Sequence, residues 1–282
     1  MEIVYLVILG LYGAVLGSFV CCQARRAIEK EEKGRKLGKR SVCLRCGERL
    51  RWYDNIPIVS WVMLGGKCRK CEQKIGVAEI IAEVGGAVGF LVVGGMWEAR
   101  VMTGGAMEWA GLAMNLIFVC VLGYLAIYDG LAGEMPVVGL TILNACAIIG
   151  VILREWRLFS GVSSGEGASF LAGGWGGEQF WMAIGGALGA GAIFGGLYYV
   201  LYKVSREQWV GGGDWLVGTA VGIMIGTPMG AVVGIFLANA LASVVMIGVV
   251  KKKVGMKIYL GPWFFAGYIA TVGVMMALPG VF

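Results

Sequence analysis

The chain has 282 residues, of which 58% are hydrophobic and only 15% are charged, and its mean hydropathy is +0.78. Soluble domains carry about 25% charged residues, so the composition excludes an ordinary soluble protein and predicts an all-α polytopic membrane protein. The sequence contains no histidine, which excludes Ser-His-Asp and Cys-His nucleophile systems and histidine-based zinc proteases. Its formal charge of +6 does not indicate nucleic acid, because Lys and Arg are concentrated in loops whose charge membrane topology already explains.

About eight transmembrane helices are predicted, since a span needs roughly 20 apolar residues. The run that begins at Asp214 is short and meets its successor at Thr227-Pro228, which predicts a tight turn. Glycine-rich stretches such as 185–191 predict close helix packing rather than a nucleotide-binding loop. The predicted spans are 3–22, 77–97, 107–128, 137–154, 179–202, 214–228, 229–250 and 258–279.

The distribution of basic residues predicts the orientation. Alternate loops hold 21 Lys and Arg residues on one side, 15 of them within 24–76, against 3 on the other side. Basic loops stay in the cytoplasm, so we expect 24–76, Lys203 with Arg206, and the lysines of 251–257 on the cytoplasmic face. The N-terminus is then outside, and the first span is expected to be retained rather than cleaved. Three parts follow: a first transmembrane helix (1–23), a cytoplasmic loop domain (24–76) and a membrane domain (77–282).

Two Cys-x2-Cys pairs, Cys43 with Cys46 and Cys68 with Cys71, lie in the first cytoplasmic loop. This spacing is typical of a four-thiolate zinc site, and the reducing cytoplasm disfavours disulfides. Four protein ligands leave no open coordination position, so we expect a structural zinc that stabilises the loop. Apolar residues between the pairs, from Trp52 to Trp61, are expected either to form a small core or to rest on the membrane surface.

Two of the three aspartates of the chain lie at the ends of apolar spans. Asp129 ends the third span and is followed by Pro136, and Asp214 follows Gly211-Gly212-Gly213 at the start of the sixth. Both ends are cytoplasmic in the predicted topology. Ionisable groups at membrane depth cost roughly 2.5–3.5 kcal/mol, which makes them functional candidates. We therefore predict an aspartyl dyad, in which the glycines give the unwound backbone that an extended peptide needs.

The order of these motifs resembles the bacterial type IV prepilin peptidases, membrane aspartyl proteases of the Gly-x-Gly-Asp class. Further motifs are similar to that family's: Gly17-Ser18-Phe19, residues 55–61 between the cysteine pairs, Glu83 in the second span and Gly261-Pro262 in the last. The chain differs from the family's usual pattern in having Cys21, Leu216 and Val137 where members commonly have Asn, Lys and Asp.

The resemblance implies that Asp129 and Asp214 cleave the short basic leader of type IV prepilins or pseudopilins at the cytoplasmic membrane face. Glu83 and Glu79 are candidates for binding the basic residues of the leader. Many members add S-adenosylmethionine-dependent N-methylation of the new N-terminus, so S-adenosylmethionine is a candidate cofactor beside zinc. The expected partners are these substrates and membrane lipid, with no nucleic acid.

Other functions are compatible with the same residues. Intramembrane carboxylates and glycine-broken helices also occur in ion- or proton-coupled transporters. A catalytically inert zinc-loop scaffold for pilus assembly, and a preflagellin or signal-peptide-peptidase-like specificity, are further alternatives.

Overall fold

The structure is a computed structural model that describes residues 2–34, 41–43, 45–160, 178–250 and 259–278. In these ranges it is helical, without a β-strand; two isolated β-bridges lie in what we call the cysteine loop, residues 41–76. The helices are α1 (Glu2–Lys33), α2 (Val59–Met63), α3 (Val77–Thr103), α4 (Ala106–Ala132), α5 (Val137–Ser160), α6 (Glu178–Ser205), α7 (Asp214–Ile225), α8 (Pro228–Val250) and α9 (Gly261–Ala277).

Six of these helices are long and apolar enough to cross a membrane, and α7 and α9 are shorter apolar helices. All eight predicted apolar runs are therefore helical, which confirms the all-α polytopic fold with the cysteine loop between the first two membrane helices. Helix α7 has 12 residues, or about 18 Å at 1.5 Å per residue, well short of a bilayer. Nine of its residues are buried, so α7 lies inside the bundle.

Helix α1 continues through Lys33, past the predicted end of the first span. It packs closely along α3, because glycines let the two backbones approach. A β-carbon on Gly17 would lie 2.2 Å from the carbonyl oxygen of Ala82, and one on Gly13 would lie 2.3 Å from that of Gly86. The division into 1–23, 24–76 and 77–282 stays a prediction.

Small residues also bring α6 and α7 together. A β-carbon on Gly222 would lie 2.4 Å from the carbonyl oxygen of Ala190, and one on Gly195 would overlap the side chain of Thr219. Within the predicted glycine-rich stretch 185–191, Gly191 makes such a contact, against Ile223. Close packing of small residues replaces the hydrophobic driving force that is missing in lipid.

The apolar core lies where α3, α4, α5, α6, α7 and α9 meet. Phe194 and Tyr198 of α6 pack against Phe264 of α9, with ring centroids 5.7 and 4.8 Å away. All three side chains are buried. This cluster fixes α9 against α6, and thus the start of α9 near the start of α7.

Some sequence predictions lie outside the described residues. They include the lysines of 251–257.

Candidate active site and metal centre

Asp129 lies in the last turn of α4, where its carboxylate is buried. The helix ends at Gly133, which has a φ of 76° and donates its N–H to the carbonyl of Asp129. Oδ2 of Asp129 accepts the N–H of Gly261 at 2.8 Å. A β-carbon on Gly261 would lie 2.9 Å from that oxygen, so only glycine fits beside the carboxylate. The Gly261-Pro262 motif thereby holds Asp129 from the start of α9.

Asp214 is the first residue of α7, and its side chain is also buried. Its Oδ2 accepts the N–H of Gly211 at 2.7 Å. The three glycines before it form a turn with exposed backbone at Gly211 and Gly212, and none of them has a positive φ. These glycines provide a backbone N–H that donates to Asp214 and a main chain that is accessible to a substrate. The helix dipole of α7 favours negative charge at this end.

The structure brings the two aspartates to the same end of the bundle. A β-carbon on Gly213 would lie 3.4 Å from Cβ of Met135, in the loop that follows Asp129. Pro136 ends that loop and accepts the first hydrogen bond of α5 from the N–H of Leu140 at 3.1 Å. Two carboxyls so arranged can carry one proton between them.

Sequence reasoning missed the side chains around this pair. Buried Tyr198 is within electrostatic reach of Asp214, and its hydroxyl accepts a hydrogen bond from the amide of Asn239 at 2.8 Å. Tyr128, directly before Asp129, donates its hydroxyl to Glu31 at the end of α1. The sequence shows only that these residues carry polar groups on otherwise apolar helices. It does not show which atoms those groups contact.

Glu83 lies in the first part of α3, and its carboxylate is buried. Oε1 accepts the hydroxyl of Ser18 at 2.7 Å, and Oε2 accepts the N–H of Ile58 at 2.7 Å. Ile58 has a φ of 63°, so this contact holds a left-handed residue of the cysteine loop. Glu83 therefore ties together α1, α3 and the loop.

Glu79 lies one turn nearer the start of α3 and forms an ion pair with Arg25 of α1, 2.8 Å from Nε to Oε1. Both side chains are partly exposed. The predicted pair of leader-binding glutamates thus has different surroundings, with Glu83 enclosed and Glu79 at the edge of a cavity.

The four cysteines converge, with all their Sγ atoms within 4.8 Å of one another. The backbone explains why. Cys43 and Cys68 each accept an N–H at 2.9 Å from the residue four positions later, Gly47 and Glu72, and both of those residues have positive φ. Each Cys-x2-Cys pair therefore turns in the same knuckle.

The thiols fit a zinc ion. Four sulfurs at about 2.3 Å around zinc in a tetrahedron are about 3.8 Å apart, and the Sγ atoms of Cys43 and Cys71 are 3.9 Å apart. The donor set, four thiols from two knuckles, matches structural zinc. The cysteines of the spans are not part of this cluster, and Cys21 and Cys146 are buried in the helix bundle.

The metal-free thiols do not ionise alike. Backbone N–H groups of Cys71 and Lys70 lower the pKa of Cys68 to about 7. The N–H of Gln73 favours the Cys71 thiolate, but desolvation and hydrogen bonds with the other three thiols together raise the pKa of Cys71 to about 11. Clustered thiolates repel each other, and a bound cation removes that conflict.

The apolar residues between the pairs form no core of their own. Trp52 is 78% exposed and Met63 81% exposed, and Val59 and Val62 are exposed as well. Of the two expectations for this segment, the small core is therefore not observed.

Comparison with known proteins places these features in a group. Residues 11–97 match the family described as Bacterial Peptidase A24 N-terminal domain. A Vibrio cholerae protein named prepilin leader peptidase/N-methyltransferase is 36% identical over 89 residues, 30% of this chain and 35% of that protein. A protein of the same name from Pseudomonas aeruginosa is 40% identical over 81 residues, 27% of either chain.

The matched length differs between relatives. A Stutzerimonas stutzeri protein of the same name is 25% identical over 248 residues, 82% of this chain and 71% of that protein. The chain spans only about a third of the length of the Vibrio and Pseudomonas relatives that it matches. No solved structure matches.

Proposed function

We propose that this chain, whose resemblance to the type IV prepilin peptidases the comparisons confirm, is a membrane endopeptidase of the aspartic type. Its substrates are type IV prepilin-like proteins, from which it removes the short basic leader at the cytoplasmic face of the membrane. The names of the relatives, prepilin leader peptidase/N-methyltransferase, support prepilin processing. The aspartic chemistry, the substrate and the membrane side belong to the proposal.

One observation carries the aspartic mechanism: two buried carboxylates, from helices far apart in sequence, lie at the same end of the bundle. A β-carbon on Gly213, next to Asp214, would lie 3.4 Å from Cβ of Met135 in the loop after Asp129. Each is oriented by a backbone N–H, that of Gly261 for Asp129 and that of Gly211 for Asp214. Each of these N–H groups donates to Oδ2 and leaves Oδ1 of the same carboxylate without that bond. Each carboxyl thus keeps an oxygen available for a water molecule or a peptide carbonyl.

The chemistry needs a base and an acid. One carboxylate takes a proton from water as the water attacks the peptide carbonyl, and the protonated partner donates to the carbonyl oxygen or the leaving amine. The proton shared by the pair is returned in each cycle. The two groups titrate as a unit, so acid and base roles belong to the pair and not to one residue.

The turn at Gly211-Gly212-Gly213 supports peptide binding. Its exposed backbone lies directly before Asp214, where an extended segment of substrate has main-chain groups to pair with. A peptide bond inside a helix is shielded, so the helical start of a pilin must unwind there. Pro136 shapes the facing loop between Asp129 and α5.

Glu79 and Glu83 differ in how readily each can bind a basic residue of the leader peptide. Glu79, at the edge of a cavity and paired with Arg25, can exchange that partner for a basic residue of the leader. Both oxygens of Glu83 are engaged within the protein, which favours an anchoring role for it. Their part in leader binding stays a prediction.

Zinc is proposed as a structural cofactor held by Cys43, Cys46, Cys68 and Cys71. When bound, it supplies a cross-link between the two knuckles rather than a Lewis acid, because four thiolates close its coordination. S-adenosylmethionine enters the proposal through the relatives' names alone, which include N-methyltransferase.

Cleavage of a prepilin tests the proposal. The full-length protein in detergent is incubated with a purified prepilin, and the product is weighed by mass spectrometry. We expect loss of the leader; a further 14 Da (one methyl group), when S-adenosylmethionine is added, would establish methylation. Ion flux in proteoliposomes without any cleavage would instead favour the transporter alternative.

A further inference from the structure

A cavity of about 990 Å³ lies between α1 and the cysteine loop, and neither Asp129 nor Asp214 lines it. Eight basic and three acidic side chains line it, which leaves a formal excess of five positive charges. Its volume is at the upper end of the range of small-molecule sites. The cavity is therefore large enough for a ligand, and its charge selects an anion.

The three acidic side chains each pair with a basic one. Glu79 binds Arg25 and Asp54 binds Arg69, both at 2.8 Å, and Glu48 binds Lys70. The excess positive charge consequently comes from the other lining residues. Arg45, Arg49 and Lys74 are among them, and all three are exposed toward solvent or the cavity.

The lining also has an apolar part, formed by exposed residues of a membrane helix. Val15 and Phe19 of α1 line it, and they are 53% and 56% exposed. Both lie inside the candidate membrane span Ile3–Glu31. The cavity is thus continuous with the surface of α1 that faces lipid tails.

A cavity lined both by basic residues and by exposed apolar residues of a membrane helix fits one class of ligand. We propose that it binds the phosphate-bearing headgroup of an anionic phospholipid, with the acyl chains along Val15 and Phe19. Basic pockets beside transmembrane helices bind such headgroups in general. The excess positive charge disfavours a basic leader peptide inside the cavity, so Glu79, at its edge, is the one lining residue shared with the proposed leader-binding groups. The inference does not depend on the peptidase activity.

The test is a lipid titration of the zinc-loaded, full-length protein in a neutral maltoside detergent, followed by native mass spectrometry. Arg49→Gln/Lys74→Gln removes two lining charges outside both cysteine pairs. We expect it to weaken phosphatidylglycerol binding about thirtyfold, since each basic residue contributes roughly a factor of five. Phosphatidylcholine, which carries a phosphate but no net charge, is expected to bind at least about tenfold more weakly than phosphatidylglycerol.

The matched control is Lys30→Gln/Lys67→Gln, which removes the same charge from exposed residues that do not line the cavity. We expect binding within about twofold of the unmodified protein. Equal weakening by both double variants, or no phosphatidylglycerol binding, would overturn the proposal. Displacement of the lipid by millimolar inorganic phosphate would overturn the lipid as the ligand and assign the site to a free anion. If the double variant loses zinc, Arg45→Gln carries the test, with a loss of about fivefold expected.

Discussion

Glu83 illustrates how one side chain joins the membrane helices to the cysteine loop. Its two oxygens hold Ser18 of α1 and the N–H of Ile58, a loop residue in the left-handed region. Hydrogen bonds to a charged group contribute about 1.5–3 kcal/mol each. At the residue scale, the loop is therefore fixed by a carboxylate that the sequence alone pointed to as a leader-binding group.

Replacement of Glu83 separates the two roles. Glu83→Gln keeps an oxygen for Ile58 and an amide that can donate to Ser18, so we expect the KM for a prepilin to stay within about threefold. Glu83→Ala removes both contacts, and we expect faster proteolysis within the cysteine loop. Limited proteolysis and steady-state kinetics measure the two effects.

The opposite pattern would support leader binding. In that case Glu83→Gln raises KM about tenfold or more by loss of charge, while proteolysis of the loop is unchanged. Ser18→Ala is the matched control, because it removes one contact and leaves the charge of Glu83 in place.

The sequence predicted that the four cysteines come together and that the two aspartates are candidate site residues. It did not predict the hydrogen-bond donors that orient the aspartates. The cysteine spacing predicted the thiol cluster, because each knuckle is a local turn, and the four Sγ atoms do converge. The apolar surroundings of Asp129 and Asp214 marked them as candidates. The donors that orient them could not be predicted, since Gly261 N–H reaches Asp129 across 132 residues.

Helix α7 is the element on which the proposed site depends, because Asp214 begins it and too few residues follow to cross a bilayer. Its far end is buried at Gly226, which has a φ of 89°. The guanidinium of Arg154 on α5 lies there and donates from Nη1 to the carbonyl of Met224 at 2.7 Å. Arg154 also pairs with Glu155 at 2.7 Å.

Arg154 thus satisfies the end of α7, and its removal tests that role. We expect Arg154→Ala to destabilise the protein by about 2 kcal/mol, since a cation at a helix C-terminus is lost and Glu155 is left unpaired. Thermal denaturation followed by tryptophan fluorescence measures this. Cleavage should also slow, because α7 carries Asp214 at its other end.

Two further variants check the reason. Arg154→Lys keeps the charge and should recover part of the lost stability. The double variant Arg154→Ala/Glu155→Ala should be more stable than Arg154→Ala, because no unpaired charge remains. An Arg154→Ala protein as stable and active as the unmodified one would refute the capping role.

The long spans could be predicted because composition and length decide them, and the short α7 was recognised from its glycines and Pro228. The end of α1 could not be predicted, since its polar last turns, through Lys33, carry no membrane signal. The sequence predicted Arg154 only as one of the three basic residues on the less basic side, at the end of the span 137–154. Its partner carbonyl lies on a helix 70 positions away, and sequence spacing does not reveal such tertiary contacts.

At the scale of the whole molecule, the cysteine loop is joined to the membrane helices through Glu83, and we expect its own stability to depend on a bound metal. The exposed Trp52 and Met63 leave it without an apolar core. Such small domains need a cross-link in place of buried area. We expect zinc, when bound by the four cysteines, to supply that cross-link.

Exchange of the metal distinguishes a structural from a catalytic zinc. We expect about one zinc per chain, and loss of loop structure and cleavage after chelation. Cadmium, which also binds four thiolates, should restore both, because no chemical step uses the metal. Metal analysis and the cleavage assay measure these outcomes.

Cys120→Ala, outside the cluster, should keep the full zinc content, whereas Cys68→Ser should lose it. A cadmium-loaded protein with an ordered loop but no cleavage would show that the metal takes part in the reaction.

The central claim is that Asp129 and Asp214 act as one catalytic pair, and a double-mutant cycle of the single-turnover cleavage rate tests it most directly. Asp129→Asn and Asp214→Asn are each expected to lower the rate by at least about a thousandfold, with the double variant losing no more, because residues that act as a unit are non-additive. Asp54→Asn, which alters the remaining aspartate, should cleave at nearly the normal rate. Near-normal cleavage without either Asp129 or Asp214, or losses that multiply in the double variant, would contradict the account.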